Sequence, residues 1–228
     1  MLDGIEILHR LMYCYPNMPE ILVPTFEPVE GRLYPTVFEV DTALRGLGHQ
    51  VIEFQQESGT TFQASVAITR GGLDNSNVVP RMIGIDPLYV LTMGMQSYKG
   101  EQQTTKEPVF GLVPNEEHVY GLDVLLLDEL SDTGFSELFG KKKLIDLGAN
   151  SVQSAVGFWK QERNETGESP DFYSETIKGW TVLPCEIYDE YAEARQRLIE
   201  AGASHEHFKE LDENLEKAIR TRNWVLCA

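Results

Sequence analysis

Residues 123–136 read DVLLLDELSDTGFS, and the order of residue types in this stretch decides the fold. Val124–Leu127 is an unbroken apolar run, the pattern of a strand buried on both faces of a parallel sheet. Asp128 and Glu129 stand at its exit. Residues 131–136 read as a turn, the chain to about Leu147 as a helix, and Gly148 as its stop. A strand that passes through an acidic turn into a helix is the unit of an α/β domain. In such domains ligands bind at the carboxyl ends of strands.

The neighbouring segments fit the same plan. In 37–55, Val37, Val40, Leu44, Leu47 and Val51 recur at near-helical spacing and predict an amphipathic helix. QASVAIT at 63–69 is a β-branched run ending at Arg70-Gly71-Gly72, hence a strand and a glycine turn. Asp74, Asn75, Ser76 and Asn77 offer N-caps for a short helix that Pro80 makes less regular. Strands are expected at 87–93 and 151–159, with short ones at 172–177 and 180–183. The polar stretches 99–108 and 161–170 read as loops, the first of them mobile, and Lys141–Lys143 as a solvated helix face.

Outside this alternation, a helix is expected near Ile5–Cys14. Two helical segments follow Glu186, broken at 201–204. Phe208, Leu211, Leu215 and Ile219 repeat at helical spacing, so the second segment needs a partner surface.

The acidic turn has a definite chemistry. Backbone N–H groups and hydroxyls at a helix start bind a phosphate monoester. Adjacent carboxylates at a strand tip accept hydrogen bonds from vicinal sugar hydroxyls or hold Mg²⁺. A third carboxylate, Asp132, is placed to move a proton. Phosphate, diol and proton transfer together suit a ribose 5-phosphate.

Composition limits the alternatives. The chain has 228 residues with 19 basic and 36 acidic side chains, a formal net charge of −17. Such a surface repels nucleic acid and anionic membrane. No apolar run approaches about 18 residues, and the first twenty residues lack the basic end and apolar stretch of a signal peptide. Cys14, Cys185 and Cys227 are odd in number and far apart, which argues for a reducing, cytoplasmic setting.

VLLLDELSDTGFS resembles the phosphoribosyl pyrophosphate loop of the class I phosphoribosyltransferases: apolar strand, two acids, two spacers, Asp-Thr-Gly. ASVAITRGGL at 64–73 is similar to that family's pyrophosphate loop. Gln96-Ser97-Tyr98 is similar to the opening of the flexible lid in its purine branch. Gly157-Phe158-Trp159-Lys160 and Trp180–Glu186 look like that branch's base-reading segments. The likeness covers roughly 37–190 and is nearest to the xanthine/guanine and hypoxanthine/guanine enzymes.

The resemblance implies an α/β parallel-sheet phosphoribosyltransferase fold with a small hood and a C-terminal helical extension. Residues 1–36 would form the N-terminal extension and hood, joined there by residues from 172–190. Residues 37–190 would be the catalytic domain and 191–228 the helical extension.

The implied reaction transfers ribose 5-phosphate to N9 of guanine, xanthine or hypoxanthine, releasing pyrophosphate in purine salvage. Asp132 would be the catalytic acid or base. Asp128 and Glu129 would hold the ribose hydroxyls, and Thr133, Gly134, Phe135 and Ser136 the 5-phosphate. Thr69, Arg70 and Gly71 would meet the pyrophosphate, in a turn where the family carries a non-proline cis peptide.

Lys160, Trp180, Val182 and Glu186 would bind the purine, and Ser97 and Tyr98 would open the lid. Mg²⁺ would be held through Glu129 and Glu186, with Asp189 the rival of Glu186. A homo-oligomer, dimer or tetramer, is implied. Phe135 departs from the family, which has a small residue or lysine there. The alternative is a non-catalytic protein of the same fold that senses a nucleotide or the donor.

Overall fold

The computed structural model describes residues 32–98 and 104–221. The helix expected near Ile5–Cys14 lies outside them. The described residues divide into two compact units, one of residues 39–178 and one of 32–38 with 179–221.

The larger unit is built on a six-stranded sheet. In chain order its elements are α1 (Val37–Ser58), β2 (Ala64–Thr69), α2 (Leu73–Ile83), β3 (Val90–Tyr98), β4 (Thr104–Phe110), β5 (Asp123–Ser131), α3 (Phe135–Asp146), β6 (Ser151–Trp159) and β7 (Phe172–Thr176); β1 (Arg32–Leu33) precedes them in the other unit. The strand order is β4-β3-β2-β5-β6-β7, with β4 antiparallel to β3 and every other pair parallel. From β2 the chain moves to β3 on one side and later fills the other side with β5, β6 and β7. The tips of β2 and β5 therefore lie where the winding direction reverses, the position that gathers ligands in open α/β sheets.

Alternation along the strands sorts the core into two layers. Ala67, Leu125 and Leu127 pack with Leu47 and Val51 of α1 and Val79 of α2. Val66, Ile68, Val124 and Leu126 face the other way, onto Leu144 of α3 and Met93. Residues 124–127 have no exposed surface. Burying each such side chain stabilises the fold by about 1.5–3 kcal/mol, which is why an apolar run with no polar face can serve here as the central strand.

Several local expectations are corrected. Residues 87–89 form a 3-10 turn, with Asp86 accepting from the Leu88 N–H at 2.9 Å, and the strand begins at Val90. Residues 104–110 are a strand, not loop. This segment lies at the sheet edge, where Pro108 is tolerated because one side of the strand needs no partner.

Helix α2 is capped by the Gly72 backbone rather than by Asp74, Asn75, Ser76 or Asn77, and Pro80 lies inside it. Residues 172–176 belong to the main sheet, paired with β6, rather than to a hood. Lys141 is not merely solvated: its Nζ is 2.6 Å from Asp171. Lys143 lies over the Phe110 ring.

In the smaller unit β1 pairs in parallel with β8 (Trp180–Thr181). Two helices follow, α4 (Ile187–Glu200) and α5 (His205–Thr221). Phe208, Leu211, Leu215 and Ile219 find their partner surface on α4, around Ile187, Ala194 and Leu198. The Tyr191 hydroxyl donates to Asp212 at 2.6 Å across the pair. No helix among the described residues is long and apolar enough to cross a membrane.

Candidate functional site

The tips of β2, β5 and β6 bring three loops together. The first follows β2. The Thr69–Arg70 peptide bond is cis. The Gly72 N–H donates to the Ile68 carbonyl at 2.8 Å, which folds the turn back on its strand. A Cβ on Gly72 would collide with the backbone carbonyl oxygens of Leu127 and Ile68, so only glycine fits. At Gly71 a Cβ would sit 3.2 Å from Asp128 Oδ1 and 3.5 Å from Glu129 Oε2. The turn thus lies directly against the acid pair.

Asp128 and Glu129 are both buried, with 9% and 3% of their surface exposed. Asp128 Oδ1 accepts the Glu129 N–H at 2.9 Å. Burial, helped by the charge of Glu137, holds the Asp128 carboxyl well above the usual carboxylate range, while the Glu129 N–H works in the opposite direction. The side-chain amide of Asn75, within α2, donates to the Asp128 carbonyl and ties the acid pair to the helix after the glycine turn. This is what Asn75 does instead of capping. Asp128 and Glu129 offer carboxylate oxygens side by side, the chemistry of a hard divalent cation such as Mg²⁺.

The loop after β5 makes the third side. Gly134 takes φ +86° and starts α3 with no side-chain cap, so the first N–H groups of that helix face the loop mouth. Thr133 is buried and its carbonyl accepts the Glu165 N–H at 3.0 Å. Phe135 turns its ring onto Phe139, centroids 6.4 Å apart along the helix, so its bulk follows α3.

Register explains the most informative contact. Ser131 pairs with Trp159, so Asp132 and Lys160 are the first residues beyond two parallel neighbours. The Lys160 N–H donates to the Ser131 carbonyl at 2.9 Å. Its Nζ, on a residue only 3% exposed, lies 3.6 Å from Asp132 Oδ2. A second cation, unanticipated from the sequence, completes the pair: Arg163 Nε is 2.9 Å from Asp132 Oδ1. Arg163 lies in the 3-10 turn Gln161–Arg163, within the stretch read as polar loop.

The structure therefore gathers Thr69, Arg70, Gly71, Asp128, Glu129, Asp132, Thr133, Gly134, Phe135, Ser136 and Lys160 around adjacent strand tips. Ser97 and Tyr98 close β3, where Tyr98 pairs with Thr104. Trp180, Val182, Glu186 and Asp189 lie in the other unit. There Trp180 is half exposed and Val182 is buried, with its N–H on the Leu33 carbonyl at 2.9 Å. One Glu186 oxygen accepts the Leu183 N–H at 2.7 Å. Asp189 lies in the first turn of α4.

No protein-family model matches the chain, and no curated protein does. Solved structures do. A purine phosphoribosyltransferase from Pyrococcus horikoshii Ot3 is 24% identical, with 68% of this chain and 93% of that chain covered and a TM-score of 0.54. A hypothetical protein from Neisseria gonorrhoeae with bound ppGpp is 22% identical over 77% of this chain and 99% of that one, TM-score 0.54. A hypoxanthine phosphoribosyltransferase from Staphylococcus aureus is 17% identical over 75% and 80%, TM-score 0.50. The chain has the type I phosphoribosyltransferase fold.

Proposed function

We propose that this chain is a 6-oxopurine phosphoribosyltransferase, transferring ribose 5-phosphate from phosphoribosyl pyrophosphate to N9 of guanine, xanthine or hypoxanthine. The observation that carries this reading is the contact between Asp132 and buried Lys160, side by side at the strand tips where the winding reverses. A carboxylate and an ammonium in that relation suit a base that gives up a proton at N7 and presents an oxygen at C6. The purine N9–C1 bond forms as the C1–pyrophosphate bond breaks, and the N7 proton passes to Asp132.

Around that step the remaining residues position the donor. The uncapped start of α3 offers backbone donors to the 5-phosphate. Arg70 and the Gly71 turn, lying against the acid pair, suit the pyrophosphate. Asp128 and Glu129 suit the ribose hydroxyls and would hold Mg²⁺, which when bound supplies charge neutralisation of the pyrophosphate. Closure of a lid from Ser97 and Tyr98 would exclude water and suppress hydrolysis of the donor.

A second reading has its own support. The Neisseria gonorrhoeae neighbour is matched over 99% of its length and holds ppGpp. On this reading the chain binds a phosphorylated nucleotide, or the donor, without transfer. Pyrophosphate release from phosphoribosyl pyrophosphate and Mg²⁺ in the presence of an oxopurine supports the transferase. Thermal stabilisation by ppGpp or donor, with no release for any base, supports the binding protein.

A further inference from the structure

The peptide unit between Asp128 and Glu129 is held at both ends. Its N–H, on Glu129, donates to Asp128 Oδ1 at 2.9 Å. Its carbonyl accepts the side-chain amide of Asn75. The pairing of β5 with β2 stops at Leu127 and Ala67, one residue short of Asp128, while β5 runs on to Ser131. The bond from Asn75 therefore arrives where the ladder to β2 has ended. On β6, a Cβ added to Gly157 would stand only 3.0 Å from the Glu129 carbonyl oxygen and 3.4 Å from Leu44.

An asparagine is a costly choice for this place. Asn75 lies in the first turn of α2 and is wholly buried. Its Oδ1 has no hydrogen-bond partner among the described residues. A bare buried oxygen costs more than one ordinary hydrogen bond contributes, so the amide does not serve stability. What it supplies is direction: one donor, carried on a helix, aimed at one carbonyl.

We infer that Asn75 is the positioning residue of the acid pair, acting through the Asp128–Glu129 peptide to aim both carboxylates at the donor. The inference rests on the proposed reading, in which that pair holds the ribose hydroxyls and Mg²⁺. A peptide unit is planar and turns as one body, so its tilt sets the directions of the side chains on either side of it. Its N–H is held by the very carboxylate that is to be placed. The bond from outside the pair is the one from Asn75. Asn75 also follows closely on the glycine turn, which the Gly72 N–H folds onto the Ile68 carbonyl at 2.8 Å. One helix start thus braces both the turn suited to pyrophosphate and the pair suited to ribose.

Asn75→Leu, in the full chain, removes the amide at similar volume. Without donor or purine, the carbonyl-carbon resonance of Asp128 and the amide resonance of Glu129 should move, while those of Leu125 and Leu126 stay. With Mg²⁺ present, calorimetric affinity for phosphoribosyl pyrophosphate should fall by roughly 10–100-fold. Neither reading needs turnover. In the transfer assay KM for the donor should rise by a similar factor with KM for the purine unchanged, a split that a merely structural role does not make. Unmoved resonances, undiminished affinity, or an equal rise in both constants would each overturn the inference. If Asn75→Leu fails to fold, Asn75→Ser is measured in the same way. A parent chain that binds no donor overturns the transferase reading and this inference together. A parent that binds donor no more tightly than the variant overturns this inference alone.

Discussion

The Nζ of Lys160 lies 3.6 Å from Oδ2 of Asp132, and the two residues occupy equivalent places just beyond the paired ends of β6 and β5. The contact is built by register, not by loop flexibility, and it fixes which carboxylate of the acidic turn meets the lysine. Asp132→Asn keeps the shape of the side chain and removes its basicity. Turnover should fall by roughly 10²–10⁴-fold while the donor still raises the thermal midpoint as it does in the unmodified chain. Undiminished turnover removes Asp132 from the proton transfer.

Lys160 and Arg163 share one carboxylate but differ in burial. Their side chains are 4% and 53% exposed. An exposed ion pair contributes only about 0–1 kcal/mol. Arg163→Ala should therefore leave the unfolding midpoint nearly unchanged. Lys160→Ala should raise KM for the purine more than KM for the donor. If both constants rise equally, Lys160 does not read the base.

Gly72 is held by its surroundings, since an added Cβ meets the carbonyl oxygens of Leu127 and Ile68, neither of which is a flexible side-chain end. Gly72→Ala should destabilise the fold by about 1–3 kcal/mol and weaken donor binding, because the turn must lift from the acid pair. Urea unfolding with and without phosphoribosyl pyrophosphate measures both effects. A variant as stable as the parent shows that the turn has room to relax.

Glu137 has its carboxyl pKa raised by burial. Such a group favours the folded state below its unfolded value of about 4.3, and that contribution is lost as pH rises through the folded value. Glu137→Gln should therefore gain on the parent chain as pH rises from 5 to 8. Urea midpoints at the two pH values read the change. A gap that stays constant shows that the group titrates alike in both states.

Much of this architecture is legible in the sequence wherever burial writes a pattern. The run 124–127 reads as a two-sided strand and has two-sided contacts, and the spacing Val40–Leu44–Leu47–Val51 reads as the buried face of α1. Gly148, with φ +89°, ends the segment that carries α3. What escapes depends on partners distant in the chain. Residues 104–110 become a strand through pairing with β3, which local polarity hides.

Asn75 looks like a cap and instead reaches the Asp128 carbonyl 53 residues away. Arg163 looks like one charge in a polar loop. A signal for it existed all the same: once β5 and β6 are taken as parallel neighbours, the residues just past Trp159 must approach those just past Ser131. Glu137, one of several acids near a helix start, gives no sign in the sequence of being buried.

The central claim is transfer to an oxopurine, and one assay addresses it. The chain is incubated with phosphoribosyl pyrophosphate and Mg²⁺, and guanine, xanthine, hypoxanthine and adenine are supplied separately while pyrophosphate release is followed. Release with at least one of the first three and none with adenine is the predicted result. Release with adenine alone, or no release with any base while the donor still stabilises the fold against heat, would contradict it.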